Sequence, residues 1–166
     1  MSTKKRSKAQ SKSTTADNNG TPNNGEVAQL AWAAGFLDGE GCIHIAKQRY
    51  DGRRADTYRL GIYVSQNDRS VLEAFRAAVG IDAPIYETKR ADNHTRQCYT
   101  LNFNGHSALR LLQLVGQYLR RKHTEAVAAL RFWVEGGMGV PGGGKPVAAN
   151  IVAAREHYYV LLKKLK

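Results

Sequence analysis

Two acids, Asp38 and Glu40, stand one residue apart, and a glycine follows each, Gly39 and Gly41. Carboxylates are hard oxygen donors of the kind that bind Mg2+ or Ca2+. Ahead of them lies Leu30-Ala31-Trp32-Ala33-Ala34-Gly35-Phe36-Leu37, mostly small or apolar, which reads as a buried helix. The Asp-Gly-Glu-Gly run reads as its end, where the last carbonyls lose their helical partners and glycine permits left-handed or extended turns. A carboxylate and free carbonyls at one point suit a hard divalent cation. The second chemical signal is charge. Lys and Arg total 25 against 14 Asp and Glu, a formal net charge of +11, and this excess points to a polyanionic partner, most simply nucleic acid.

Periodicity places the elements around these residues. Residues 1–25 are rich in Ser, Thr, Asn, Gly and Lys, with almost nothing apolar, and read as a disordered basic and polar tail. Residues 26–166 read as one domain, long enough for a real core at 42% hydrophobic content. Asn24 is a good cap for a helix over 26–38, with Glu26 in its first turn. Ala31 and Gly35 share one face of it, as do Ala34 and Asp38, and residues this small let another helix approach closely.

The spacing next predicts a strand Cys42–Tyr50, a turn at Asp51-Gly52-Arg53-Arg54 and a strand Thr57–Ser65 with Leu60, Ile62 and Val64 inward. Asn67 or Asp68 caps a helix to Val79 that Gly80 ends. A second hairpin follows, Ile85–Arg90 and Gln97–Phe103. Helices over 106–116, 121–135 and 147–165 complete the chain, the middle one with Val127, Leu130 and Val134 inward. The expected fold is α+β, αββαββα, a four-stranded antiparallel sheet with helices on one face. The other face is open. Gln48, Tyr50, Arg59, Tyr63, Ser65, Tyr86, Thr88, Arg90, Thr100 and Asn102 fall on it, a composition suited to base edges and phosphates.

The segment Ala33-Ala34-Gly35-Phe36-Leu37-Asp38-Gly39-Glu40-Gly41, followed by a strand, resembles the LAGLIDADG motif of homing endonucleases. One copy is present, so the chain resembles the branch that works as a homodimer. The resemblance implies a saddle-shaped sheet in the DNA major groove and metal-dependent cleavage of both strands across the minor groove of a long, near-palindromic target. It implies Mg2+ as cofactor, with Mn2+ possible and Ca2+ a non-catalytic substitute. By alignment to the motif, Glu40 is the metal ligand, the Gly39 carbonyl is its companion, and Ala31, Ala34 and Gly35 lie at the dimer interface. Asp38 finishes the helix and organises the turn.

Further positions carry over. Gln66 matches a polar residue that orients water, and Lys122 a basic residue that reaches the active site. The family often has Arg or Lys four residues after the Gln. Here Ser70 stands there, with Arg69 beside it as the candidate replacement. His44 falls at a DNA-contacting position, and Arg53, Arg54 and Arg96 in the loops are further candidate DNA contacts.

Two other classes compete. A catalytically inactive relative, such as an RNA maturase or DNA-binding regulator, would keep the charge and the open sheet. A structural RNA-binding protein would explain the charge but not a small-residue helix ending in carboxylates. Cys42 and Cys98 are far apart and in no Cys-x-x-Cys pair, which argues against zinc or a disulfide framework and fits a reducing, intracellular compartment, cytoplasmic or organellar. No apolar run approaches the ~20 residues that span a membrane, and no secretory signal is expected.

Overall fold

A computed structural model describes residues 23–49, 56–88, 97–138 and 147–166. The expected tail over 1–25 lies outside these residues except at its last three positions. Tyr50, Arg53, Arg54, Arg90 and Arg96 also lie outside the described residues.

The first helix, α1, runs Asn24–Glu40. Its cap is Asn23, one residue before the expected Asn24. The Asn23 side chain accepts from the Glu26 N–H at 2.9 Å, and the Glu26 carboxylate accepts from the Asn23 N–H at 2.9 Å. This reciprocal pair satisfies two backbone donors that the helix start would otherwise orphan. At the other end α1 continues two residues past Asp38. Gly39 stays helical, and Gly41 turns the chain out with an extended backbone while its N–H bonds the Leu37 carbonyl. A Cβ on Gly41 would lie 2.2 Å from Leu37 Cδ1 and 2.7 Å from the Leu37 carbonyl oxygen. Only glycine fits that exit, and the consequence is that Glu40 stands at the very tip of the helix.

Strands β1 (Gly41–Gln48) and β2 (Thr57–Gln66) pair antiparallel, with Ile43 opposite Ile62 and Ile45 opposite Leu60. Helix α2 (Arg69–Val79) is capped by Asp68, whose carboxylate accepts from the Ser70 N–H at 2.8 Å. It ends at Gly80, whose φ of 61° is the left-handed conformation that stops helices. Strands β3 (Ile85–Thr88) and β4 (Cys98–Asn104) form the second hairpin. β4 also pairs with β2, so the sheet order is β1-β2-β4-β3, antiparallel throughout. Helices α3 (His106–Val115), α4 (His123–Glu135) and α5 (Ala149–Lys164) follow.

The inward faces of the strands meet the helices in one core. Ile43, Leu60, Ile62, Val64, Leu101 and Phe103 from the sheet pack with Leu37, Leu72, Phe75, Leu111, Leu112 and Phe132 from the helices. One expected face holds only at Leu130, which is partly buried against the core. On α4 the buried stripe is Ala126, Ala129 and Phe132, whereas Val127 is 38% and Val134 77% exposed. Both stripes have helical spacing, so periodicity alone could not separate them. The start of α4 is anchored through Lys122 and Glu125, both buried, and this fixes the rotation that turns the alanines inward and the valines out. α5 is tied down by polar contacts. Glu156 accepts from Lys47 Nζ at 2.6 Å and from the Tyr58 hydroxyl, and the Tyr158 hydroxyl donates to Glu135 at 2.7 Å. No helix among the described residues is long and apolar enough to cross a membrane.

Candidate active site

The site is assembled at the tip of α1. Of its terminal carbonyls, that of Leu37 takes the Gly41 N–H, and that of Asp38 takes Arg121 Nε at 3.1 Å and the Lys122 ammonium. Gly39 is next in that series, and it is exposed, with open space where a Cβ would be. Glu40 is exposed beside it. An exposed carboxylate and a terminal helix carbonyl are hard oxygen donors on adjacent residues, the chemistry a divalent cation such as Mg2+ asks for. Among the described residues no three His, Cys, Asp or Glu side chains gather into a metal-binding group.

Asp38 does something its place in the chain does not announce. Its carboxylate reaches across the fold and accepts three successive backbone N–H groups, from Arg120 at 2.7 Å, Arg121 at 3.2 Å and Lys122 at 2.9 Å. Burial alone would raise its pKa, but these three bonds outweigh that and hold the carboxyl below the ordinary carboxylate range. The bonds lock the segment leading into α4, where Lys122 is the residue just before the first helical turn. Lys122 is only 2% exposed. Burial, with the positive charge of Arg121, pulls its pKa below the usual lysine value, while Glu125, Asp38 and Cys42 pull the other way.

Register puts Gln66 at the same end of the molecule. Val64 pairs with Gly41, so Gln66, two residues on, lies at the sheet end from which α1 hands over to β1. Its side-chain oxygen accepts from the Asn67 N–H at 3.2 Å. The expected constellation of Glu40, Gly39, Gln66 and Lys122 thus shares one end of the fold. Arg69 opens α2 three residues after Gln66. Its guanidinium bonds Glu73 at 2.8 Å along the exposed side of α2, and the Ser70 hydroxyl is spent on Asp68 at 2.7 Å.

The open sheet face holds the described side chains expected on it. Gln48, Arg59, Tyr63, Tyr86 and Thr88 are exposed, and Ser65, Thr100 and Asn102 are partly so. Cross-strand neighbours run in rows over it: Cys42 beside Tyr63 beside Asn102, and Ser65 beside Thr100 beside Tyr86. Ser65 and Thr100 hydroxyls bond at 2.9 Å. His44 lies down on this face, opposite Gly61, where a Cβ would come 2.5 Å from its ring. Cys42 next to it carries a thiol that burial would raise. Bonds to His44, Lys166 (Nζ at 3.0 Å) and Tyr63 pull it down instead, to about 6.

On α1 the outward surface comprises Ala28, Ala31, Trp32, Gly35 and Gly39, all exposed. Ala31 and Gly35 lie on it as expected. Ala34 does not: it is fully buried within its own chain, because residues 33, 34 and 37 form the stripe that seats α1 on the core. Asp38 as a clamp was also missed. Its partners are 82 to 84 residues away, and no local spacing reveals such a contact. A carboxylate facing a later Arg-Arg-Lys at a helix start was the available signal.

Three comparisons bear on this arrangement. A family model described as LAGLIDADG endonuclease matches residues 33–128, more than half of the chain. Among solved structures, the homing endonuclease I-CvuI in complex with its target in the presence of Ca is similar, with a TM-score of 0.68 and 21% identity over 87% of this chain and 85% of that one. The archaeal intron-encoded homing endonuclease I-Vdi141I, complexed with DNA, has a TM-score of 0.66 and 17% identity over 85% and 86% of the two chains. I-GzeII in complex with its DNA target has a TM-score of 0.58 and 12% identity, but this chain spans only 43% of it. No curated protein matches.

Proposed function

Because this chain belongs to the LAGLIDADG endonuclease family, we propose that it is a site-specific endonuclease that cuts both strands of a long, near-palindromic DNA target. It works as a homodimer with Mg2+ as its metal. The observation that carries this reading is the tip of α1. An exposed Glu40, a terminal helix carbonyl at Gly39, Gln66 and a buried Lys122 share one end of a sheet whose other face is polar and open.

The donors present fit a hard cation: Glu40 and the Gly39 carbonyl would hold it, with waters and a scissile phosphate oxygen completing the shell. A bound divalent cation supplies Lewis-acid polarisation and an activated water for phosphodiester hydrolysis. The protein's own part is positioning and charge. Lys122 steadies developing negative charge on the phosphate. Gln66 orients water, its amide donating or accepting as required. The open face, with Gln48, Arg59, Tyr63, Tyr86, Thr88 and Asn102, offers donors and acceptors to base edges in the major groove, and the net charge of +11 favours the phosphate backbone.

Two copies are needed because one chain holds one partial site. Two-fold pairing through α1 would bring two Glu40 tips together and make the target mirror the protein's symmetry.

The test is a selection of cleaved sites from a randomised duplex library in Mg2+. A near-palindromic sequence cut on both strands is expected. Glu40→Gln should bind the recovered duplex with near-parental affinity and cut it at least about 100-fold more slowly, since it removes the ligand but no phosphate contact. Tight binding with intact DNA in the parent protein would overturn the enzymatic reading.

A further inference from the structure

Lys122 is held at both of its ends by one residue. Its backbone N–H donates to the Asp38 carboxylate at 2.9 Å, and its side-chain ammonium donates to the Asp38 carbonyl. The same carboxylate takes the N–H groups of Arg120 and Arg121. The segment so gripped has no side-chain cap of its own at the start of α4. Asp38 is the penultimate residue before Glu40 on α1, so the clamp joins the helix that ends in the candidate metal ligand to the lysine that arrives from the second half of the chain.

We infer that Asp38 is the positioning residue of this site: it sets the place of Lys122 relative to Glu40, and it touches neither metal nor DNA. This deepens the endonuclease reading and rests on it. A lysine side chain is a flexible four-carbon stem with many accessible rotamers. Left free in water it would sample many positions. Buried and fixed at both ends, it is preorganised, and preorganised charge is worth more to a developing oxyanion than charge that must reorganise. Three N–H donors on one carboxylate also make the clamp hard to replace. An amide side chain has a single oxygen acceptor and presents N–H groups where the acceptor was needed.

The test is Asp38→Asn, with Lys122→Met and the double variant, alongside the parent protein. On the duplex recovered by selection, Asp38→Asn should keep DNA affinity within about three-fold of the parent and slow single-turnover cleavage about 10- to 100-fold, the usual cost of a supporting-shell residue. In the double variant Asp38→Asn should add nothing to the loss caused by Lys122→Met, because the clamp acts only through that lysine. Losses that multiply would overturn the inference, as would cleavage unchanged in Asp38→Asn, or affinity and thermal melting that fall in step with cleavage. A separate readout needs no DNA: the Lys122 ammonium signal in a 15N–1H spectrum of the protein alone. It is expected to be sharp and protected in the parent and exchange-broadened in Asp38→Asn; identical spectra would sink the inference. A parent protein that cuts nothing would overturn the endonuclease reading, and the ammonium spectrum would still decide whether Asp38 holds Lys122.

Discussion

Residue by residue, acids do three different jobs in this chain. Glu40 is left in water at a helix tip, Asp38 is consumed by backbone donors, and Glu156 ties α5 to the sheet. The first was legible through the resemblance to the motif, type and spacing having marked only the pair Asp38 and Glu40. The other two were not, because their partners are 82 and 109 residues away and neither the 3.6 nor the 2 period carries that information. Glu156 allows a direct check. The Lys47 ammonium and the Tyr58 hydroxyl beside it hold its carboxyl below the ordinary value of 4.5. A carboxylate with a depressed folded pKa stabilises the protein above its unfolded value, and that stabilisation is lost as pH falls through the folded one. Glu156→Gln should therefore melt lower than the parent at pH 7, by the equivalent of about 1 kcal/mol once screening of a carboxylate 43% exposed is allowed for. The gap should narrow as acid takes the parent below the ordinary value of 4.5. Melting curves over that range decide it, and a gap constant with pH would show that packing, not charge, is what Glu156 contributes.

At the scale of elements, the alternation in β2 and β4 and the small-residue run of α1 announced themselves, and the four strands pair as their inward residues require. α4 announced its extent but not its buried face. Its sequence carries two stripes at helical spacing, one of valines and one of alanines with Phe132, and hydrophobicity favours the valines. Packing favours the alanines: small side chains let the helix lie closer to β1 and α5, and Phe132 then fills the remaining volume. The rotation is imposed from outside the helix by the clamp at its start. Two substitutions separate the stripes. Phe132→Ala should cost about 3–5 kcal/mol, the range for a buried aromatic cut to alanine, whereas Val134→Lys, at a position 77% exposed, should stay within about 0.5 kcal/mol of the parent. Urea unfolding measures both. A large loss at Val134 with little at Phe132 would restore the face that hydrophobicity alone suggests.

For the molecule as a whole, the question is what covers the outer surface of α1. Ala28, Ala31, Gly35 and Gly39 leave that surface nearly flat, with Trp32 standing 43% exposed at its edge and stacked on Phe36. A monomer has no need of glycine at position 35. Gly35 sits mid-helix, where it costs about 1 kcal/mol against alanine, and open space surrounds the place its Cβ would take. In the proposed homodimer a second α1 related by two-fold symmetry would lie against this surface, each glycine facing its own copy's flat face. Gly35→Leu separates fold from assembly. Folding of the single chain should be unharmed or slightly improved, because leucine is a far better helix former. The pair should come apart, because the added side chains force the two backbones several ångströms from contact. Light scattering should then report one chain's mass where the parent reports two, and cleavage of the selected duplex should be lost with it. A Gly35→Leu protein that still weighs two chains would place the interface on another surface, and one that still cuts both strands as a single chain would remove the reason for pairing altogether.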